Sequence, residues 1–226
     1  MRVLIVVAHP DDEVLGCGGT IARLVKEGHD VYIAILGEGI TSRSREREQT
    51  DFTLIKTLQT QSNQVAKMLG VKDIFMYNLP DNRFDTVPLL DVIKIIEDLI
   101  ARVTPEIIYT HHGSDLNIDH QIVNRAVLTG TRPMQNGTVK ELYAFEVPSS
   151  TEWAFQSLGL SFYPNVFVNI SDTLDIKIKA LSCYKSEVRV FPHPRSPESI
   201  KAIACRWGSV VGYEAAEVFE LIRSIR

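Results

Sequence analysis

The chain has 226 residues, 45% of them hydrophobic and 23% charged, with a formal net charge of −4. That length and composition suit one globular domain over residues 1–226 with a sizeable core, and they exclude a low-complexity or disordered chain. The acidic balance argues against a general nucleic-acid binder, which needs a basic field. The one dense basic run, “RSRER” at 43–47, is diluted by Glu46 and Glu48. It reads as the solvated start of a helix, with a phosphate-binding patch as the alternative.

The three cysteines, Cys17, Cys183 and Cys205, form neither a CxxC pair nor an even framework, so reduced thiols are expected. Cys17 reads as a small buried residue rather than a nucleophile. No charged segment followed by a cleavable apolar stretch opens the sequence, and no apolar run approaches the ~20 residues of a membrane span. A soluble cytoplasmic protein with no nucleic-acid partner is the expectation.

Residues 3–8 are a continuous apolar run, the pattern of a strand buried on both faces. Residues 13–27 carry helical periodicity, with Val14, Leu15, Ile21, Leu24 and Val25 on one side and Gly28 as the stop. A second buried strand covers 31–36 and a loop covers 37–44. A long polar helix is predicted over 45–69, stopped by Gly70. Strand three is placed at 73–77, a turn-rich loop at 79–87 and an apolar-striped helix at 89–103. Strand four follows at 106–109, then a polar loop and a helix over 119–129. Strands at 142–145 and 166–168, a helix at 172–184, a proline-rich loop at 190–199 and a last helical region running to Arg226 complete the assignment. Alternating strands and helices imply a mostly parallel, doubly wound sheet in a three-layer α/β/α architecture.

Ligands of open α/β sheets bind beyond the carboxyl ends of the strands. Two polar clusters fall there: His9-Pro10-Asp11-Asp12-Glu13 after strand one, and “HHGSDLNIDH” (111–120) after strand four. His9 and Asp12 are three apart where strand turns into helix, so their side chains can converge. His120 lies in the first turn of another helix, behind Asp119. Two histidines and one carboxylate make a common catalytic zinc set that leaves a position for water. Metal would also compensate the clustered carboxylates, and Asp11, left unliganded, is placed to act as general base. The plainer alternatives are a hydrogen-bonded histidine at a strand end, helix caps at Asp11 and Asp12, and a favourable first-turn acid at Glu13. The same residue set also describes the facial triad of an Fe(II) oxygenase, although that chemistry goes with short-stranded β-barrels. A non-catalytic module binding sugar or nucleotide is the third reading. “GCGG” (16–19) does not have GxGxxG spacing, and three acids beside it would repel a pyrophosphate, so these glycines read as allowing close helix–sheet packing or space for a substrate.

“AHPDDEVLGCGG” followed far downstream by “DHQIVNRAVL” resembles the PIG-L/LmbE family of zinc-dependent N-deacetylases. “ILGEG”, “LPDNRFD” and “NIDH”, after strands two, three and four, extend the resemblance over most of the chain. The resemblance implies a Rossmann-like fold, Zn2+ (with Fe2+ as the alternative), and release of acetate from an N-acetylated amino sugar or its conjugate. It implies His9, Asp12 and His120 as metal ligands, Asp11 as general base and Asp119 as an orienting acid. It also implies a homo-oligomer, trimer or hexamer.

One position departs from the family pattern. Where most members carry histidine three residues before the last ligand, this sequence has Asn117. An asparagine amide can donate to an oxyanion but cannot supply a proton as imidazolium does. The leaving amine must then be protonated by another group, for which His193 in “FPHPRS” is favoured over His111 and His112, or by Asp11 itself. “DLNIDH” with a later “PHPRS” resembles a bacterial branch associated with surface-polysaccharide precursors. The loops 37–44, 80–85 and 190–199 would choose the sugar, with Arg43, Arg83 and Arg195 as their candidate substrate-binding residues.

Overall fold

The structure is a computed structural model and describes residues 1–43, 47, 51–135 and 137–226. In chain order the elements are β1 (Arg2–Val7), α1 (Asp12–Lys26), β2 (Asp30–Gly37), α2 (Phe52–Leu69), β3 (Asp73–Leu79), α3 (Leu89–Val103) and β4 (Ile107–His111). There follow α4 (Ile118–Gly130), β5 (Glu141–Phe145), β6 (Val166–Asn169), α5 (Leu174–Leu181), α6 (Pro197–Val211) and β7 (Ala216–Ser224). Seven strands form one sheet in the order β3-β2-β1-β4-β5-β7-β6. The first five are parallel, and β7 runs antiparallel to both β5 and β6.

Alternation along β1 divides the core. Val3, Ile5 and Val7 face the layer that holds α1, while Leu4, Val6 and Ala8 pack with residues of α3 and α4. All six are completely buried, as expected for a strand covered by helices on both faces. β1 ends in the middle of the sheet next to β4, where the winding direction reverses, so the residues after β1 and β4 share one crevice.

α1 is broken at Cys17 (φ −147°, ψ 24°). The break is satisfied from the C-terminal part of the chain. Lys177 Nζ donates to the Leu15 carbonyl (2.9 Å) and to Glu217 Oε1 (2.6 Å). The Glu217 carboxylate accepts from the N–H groups of Gly19 (2.9 Å) and Thr20 (2.6 Å), capping the second half of the helix with a negative charge. The glycines on either side of the break serve packing, as the residues suggested. A Cβ on Gly16 would lie 2.3 Å from the Phe145 ring, and one on Gly19 would lie 2.9 Å from Ile170. Phe145 is fully buried and has nowhere to move. Gly16→Ala is therefore expected to destabilise the fold by about 1–3 kcal/mol, read as a Tm fall of roughly 2–4 °C per kcal/mol. An unchanged melting curve would contradict this packing.

Two predicted elements need correction. The helix expected from residue 45 begins at Phe52 behind Asp51, whose carboxylate accepts the Thr53 N–H; residues 44–46 and 48–50 lie outside those described. The helical region expected to run to Arg226 stops at Val211, because Gly212 takes a left-handed turn (φ 79°). The next apolar stretch is β7. Its pattern suits either element, but as a strand it supplies both β5 and β6 with a partner and sets Phe219 against Tyr109 at 4.9 Å. Two smaller shifts matter for the site: His111 is the last residue of β4 rather than loop, and Asn117 caps α4.

Candidate active site

The bend after β1 carries His9 and Asp11, and Asp12 opens α1. β4 ends on His111, and α4 brings Asp119 and His120 in its first turn. These segments meet. His9, Asp12 and His120 each offer a ligand atom, and the three atoms lie within 4.8 Å of one another. Asp12 Oδ2 is 3.2 Å from His120 Nε2 and 3.5 Å from His9 Nδ1. It also accepts the His9 backbone N–H at 2.9 Å, which ties the bend to the helix start. Asp12 Oδ1 is buried and has no hydrogen-bond partner among the described residues.

The neighbouring groups settle which ring nitrogens face Asp12. His9 Nε2 is 2.9 Å from Asp119 Oδ2, and a carboxylate only accepts, so the ring proton sits on Nε2 and Nδ1 keeps its lone pair. On His120, Nδ1 lies 3.2 Å from Asp115 Oδ1, an electrostatic contact rather than an aligned hydrogen bond, and Nε2 turns toward Asp12. Asp115 is itself held by the hydroxyls of Ser150 and Thr151 and by the Asn117 N–H. Burial works to raise the Asp115 pKa, but His120 and these donors hold it at about 2. Burial likewise lowers His120, yet Asp12 and Asp115 outweigh it and push the imidazole up to about 9. Burial works to raise the Asp12 pKa, but the His120 charge and the hydrogen bonds of His120 and His9 hold it well below the usual carboxylate range. A buried carboxylate that faces ring nitrogens of His9 and His120 is a site built for positive charge.

A second trio, His9, Asp81 and Asp119, has similar spacing. Its oxygens are already occupied. Asp119 Oδ1 accepts from Phe84 N–H (3.0 Å) and Oδ2 from Asn82 N–H (2.6 Å). Asp81 accepts from Ser42 N–H and from the Asn82 side-chain amide. This trio is scaffold that fixes His9. The unpartnered Asp12 Oδ1 and the free lone pairs belong to the first, so the donor set of His9, Asp12 and His120 fits a divalent cation.

Asp11 lies beside this trio and outside it. It is 2% exposed, and its carboxylate Oδ2 accepts from Arg195 Nη1 at 2.8 Å. Burial, the largest influence, holds its pKa well above the ordinary value against the pull of Arg195. The residues open on a cavity of about 240 Å3 that His9, Asp11, Asn117, His193, Arg43 and Arg195 all help to line.

Asn117 is partly committed elsewhere. Its Oδ1 caps α4 through Asp119 N–H (2.8 Å), and Nδ2 donates one hydrogen to Asn82 Oδ1 (2.9 Å). His193 stands with its ring against Trp153 (5.6 Å), and its Nδ1 accepts the Arg195 N–H (3.1 Å). Burial, then the Arg195 and Arg189 charges, lower its pKa. The other two histidines do not reach the cavity. His111 is fully buried, stacks on His120 at 3.9 Å and accepts Ala8 N–H on Nε2. Burial, then the His120 charge, push it down to about 3. His112 turns to the far side, between Glu220 and the Leu160 carbonyl. Arg43 is paired to both oxygens of Glu187 (2.6 and 2.7 Å), and Arg83 is exposed and does not line the cavity.

Sequence reasoning passed over Asp115, Asp81, Glu187 and the pair Tyr184–Glu13. Asp115 and Asp81 do lie inside the two loops singled out as polar clusters, a signal at the level of the segment. Nothing near Tyr184 or Glu187 marks them, since Glu13 and Arg43, which they hold, are more than 140 residues away.

Comparison with known proteins agrees with this geometry. The PIG-L family model, described as GlcNAc-PI de-N-acetylase, matches residues 4–130. The chain is 31% identical over 198 residues to the uncharacterized deacetylase YaiS of Escherichia coli K12, covering 81% of this chain and 90% of that protein. It is 25% identical over 234 residues to the diacetylchitobiose deacetylase of Thermococcus kodakarensis, covering 99% and 84%. In fold it also resembles GalB, the 4-carboxy-2-hydroxymuconate hydratase of Pseudomonas putida KT2440. That likeness has a TM-score of 0.77 at 20% identity, with 100% of this chain and 97% of that one covered. The shared fold therefore hosts more than one chemistry, and the argument for activity rests on the side chains. The HPDDE turn, the His-Asp-His group it forms with α4, and the match over more than half of the sequence place this chain in the PIG-L family.

Proposed function

We propose that the chain is a zinc-dependent hydrolase that removes the N-acetyl group from an amino sugar or amino-sugar conjugate, such as a surface-polysaccharide precursor, and releases acetate. The observation that carries this reading is the trio His9, Asp12 and His120 with its unpartnered buried oxygen, set beside Asp11, which stands outside the trio on a polar cavity. Relatives named for deacetylation of diacetylchitobiose and of N-acetylglucosaminyl malate support an acetylated amino sugar as the substrate class.

Held by His9, Asp12 and His120, zinc would lower the pKa of a water toward about 7 and polarise the acetamide carbonyl. Asp11 takes the proton of that attacking water as its oxygen bonds to the carbonyl carbon. The remaining Asn117 amide hydrogen and the His193 Nε2–H, which carries the ring proton because Nδ1 accepts from Arg195, donate to the oxyanion and the substrate. A neutral imidazole is a poor source of a full proton, so Asp11 returns the one it took to the leaving nitrogen, and the C–N bond breaks to acetate and free amine. Arg43 lines the wall that meets the sugar, and Arg195 lines the same cavity beside Asp11.

The test is acetate release from a panel of N-acetylated sugars, nucleotide sugars and lipid-linked sugars, with and without chelator. Release that chelator abolishes and added Zn2+ restores is expected. Chelator-insensitive release, strict oxygen dependence, or the absence of a tight metal site would each overturn the reading; the last two would favour an Fe(II) oxygenase and a non-catalytic binding module respectively.

A further inference from the structure

We propose that Arg195 is a positioning residue for the base, clamping the Asp11 carboxylate by one oxygen so that the other faces the reacting water. This rests on the reading of Asp11 above.

Asp11 has φ 111° and ψ −28°, a region that L residues other than glycine avoid. Such a conformation costs about 1–3 kcal/mol and persists only where the surroundings enforce it. Two tethers do so here. The Asp11 N–H donates to Glu13 Oε2 (3.1 Å), and Glu13 Oε1 accepts from Tyr184 Oη (2.5 Å). The Asp11 side chain is held from the opposite side by Arg195 Nη1 on Oδ2. Oδ1 has no protein hydrogen bond among the described residues, so it is the oxygen left to accept a proton.

Arg195 is braced for this task. Its Nε donates to Ser149 Oγ (2.8 Å) and to the Pro148 carbonyl (3.3 Å), and its own N–H binds His193. Nη1 lies 3.7 Å from Glu187 Oε2, and Glu187 in turn holds Arg43. Charges therefore alternate along Asp11, Arg195, Glu187 and Arg43, and the Arg195 side chain is only 20% exposed. Two of the three guanidinium nitrogens, Nε and Nη1, are thus spent on the protein. Tyr184, Glu187 and Arg195 all fall after residue 130, where the family match ends. The base is thus contributed by one part of the chain and aimed by another.

The test compares wild type, Arg195→Ala and Arg195→Lys on a substrate that the wild type deacetylates. Arg195→Ala is expected to lower kcat about 100-fold, with KM within about threefold and metal content unchanged. Arg195→Lys should recover part of kcat, and so should millimolar guanidinium added to Arg195→Ala. Adding Arg195→Ala to Asp11→Asn should cost nothing further, since the two act as one unit. A raised KM with kcat intact would make Arg195 a substrate ligand and overturn the proposal, as would multiplicative losses in the double variant. A crystal structure of metal-loaded Arg195→Ala, or of Arg195→Lys if the alanine variant does not fold, supplies an arm that needs no turnover. There the Asp11 carboxylate should swing off its present position, and an unmoved carboxylate would overturn the clamp. A wild type that releases no acetate from any substrate fails the functional reading instead, and the crystal structure still decides the clamp.

Discussion

Exchange of Asp11 for asparagine is expected to lower kcat by about 10²- to 10⁴-fold, the usual contribution of a positioned base, while bound metal stays at the wild-type level. The two halves of this expectation have separate origins. Among the described residues Asp11 has no hydrogen bond or ion pair with His9 or His120, whereas Asp12 meets both, so removing the Asp11 charge leaves the donor set whole. Asparagine preserves the side-chain volume, and its oxygen can still accept from Arg195. What it lacks is a lone pair basic enough to take a proton from water. Metal content by elemental analysis and kcat on a substrate found in the panel check the prediction together. Activity within tenfold of wild type would remove Asp11 as the base, and loss of metal would mean that it is a ligand.

His120→Ala is expected to abolish stoichiometric metal binding and, with it, turnover. One of three protein ligands is lost, and the buried Asp12 keeps a negative charge with one cationic neighbour fewer. Thermal melts give a readout independent of any substrate. Ligand that binds only the folded state stabilises it by about 2.7 kcal/mol at a hundred times its Kd. For a chain of this size that amounts to roughly 5–10 °C in Tm. Chelator should therefore lower the wild-type Tm by about that much and leave the His120→Ala melt where it was. A variant that retains one metal per chain, or a wild-type Tm indifferent to chelator, would exclude His120 as a ligand.

The His9-Asp12-His120 group was legible in the sequence because each member announces itself by residue type and because two of the three are close neighbours at a strand end. The parallel sheet was legible for a similar reason: β1, β2 and β4 are apolar runs that only a doubly covered strand tolerates. β7 was not, because an apolar stretch such as residues 216–222 can be helix or strand until the unpaired edges of β5 and β6 choose. Asp115 and Glu187 escaped for another reason. A carboxylate that orients a ligand or holds an arginine looks like any surface acid until the chain folds back on it. Arg83 shows the converse. It sits in a loop that does belong to the site, yet its side chain points elsewhere, since loop membership fixes an address and not an orientation.

The double tether on Asp11 bears on any attempt to retarget the enzyme by grafting. Residues 184–196 form the wall that a designer would first exchange with a relative's segment to admit a different sugar. The same stretch carries Tyr184 and Arg195, so a swap chosen for fit alone would detune the chemistry along with the selectivity. Libraries that randomise this wall should hold those two side chains constant.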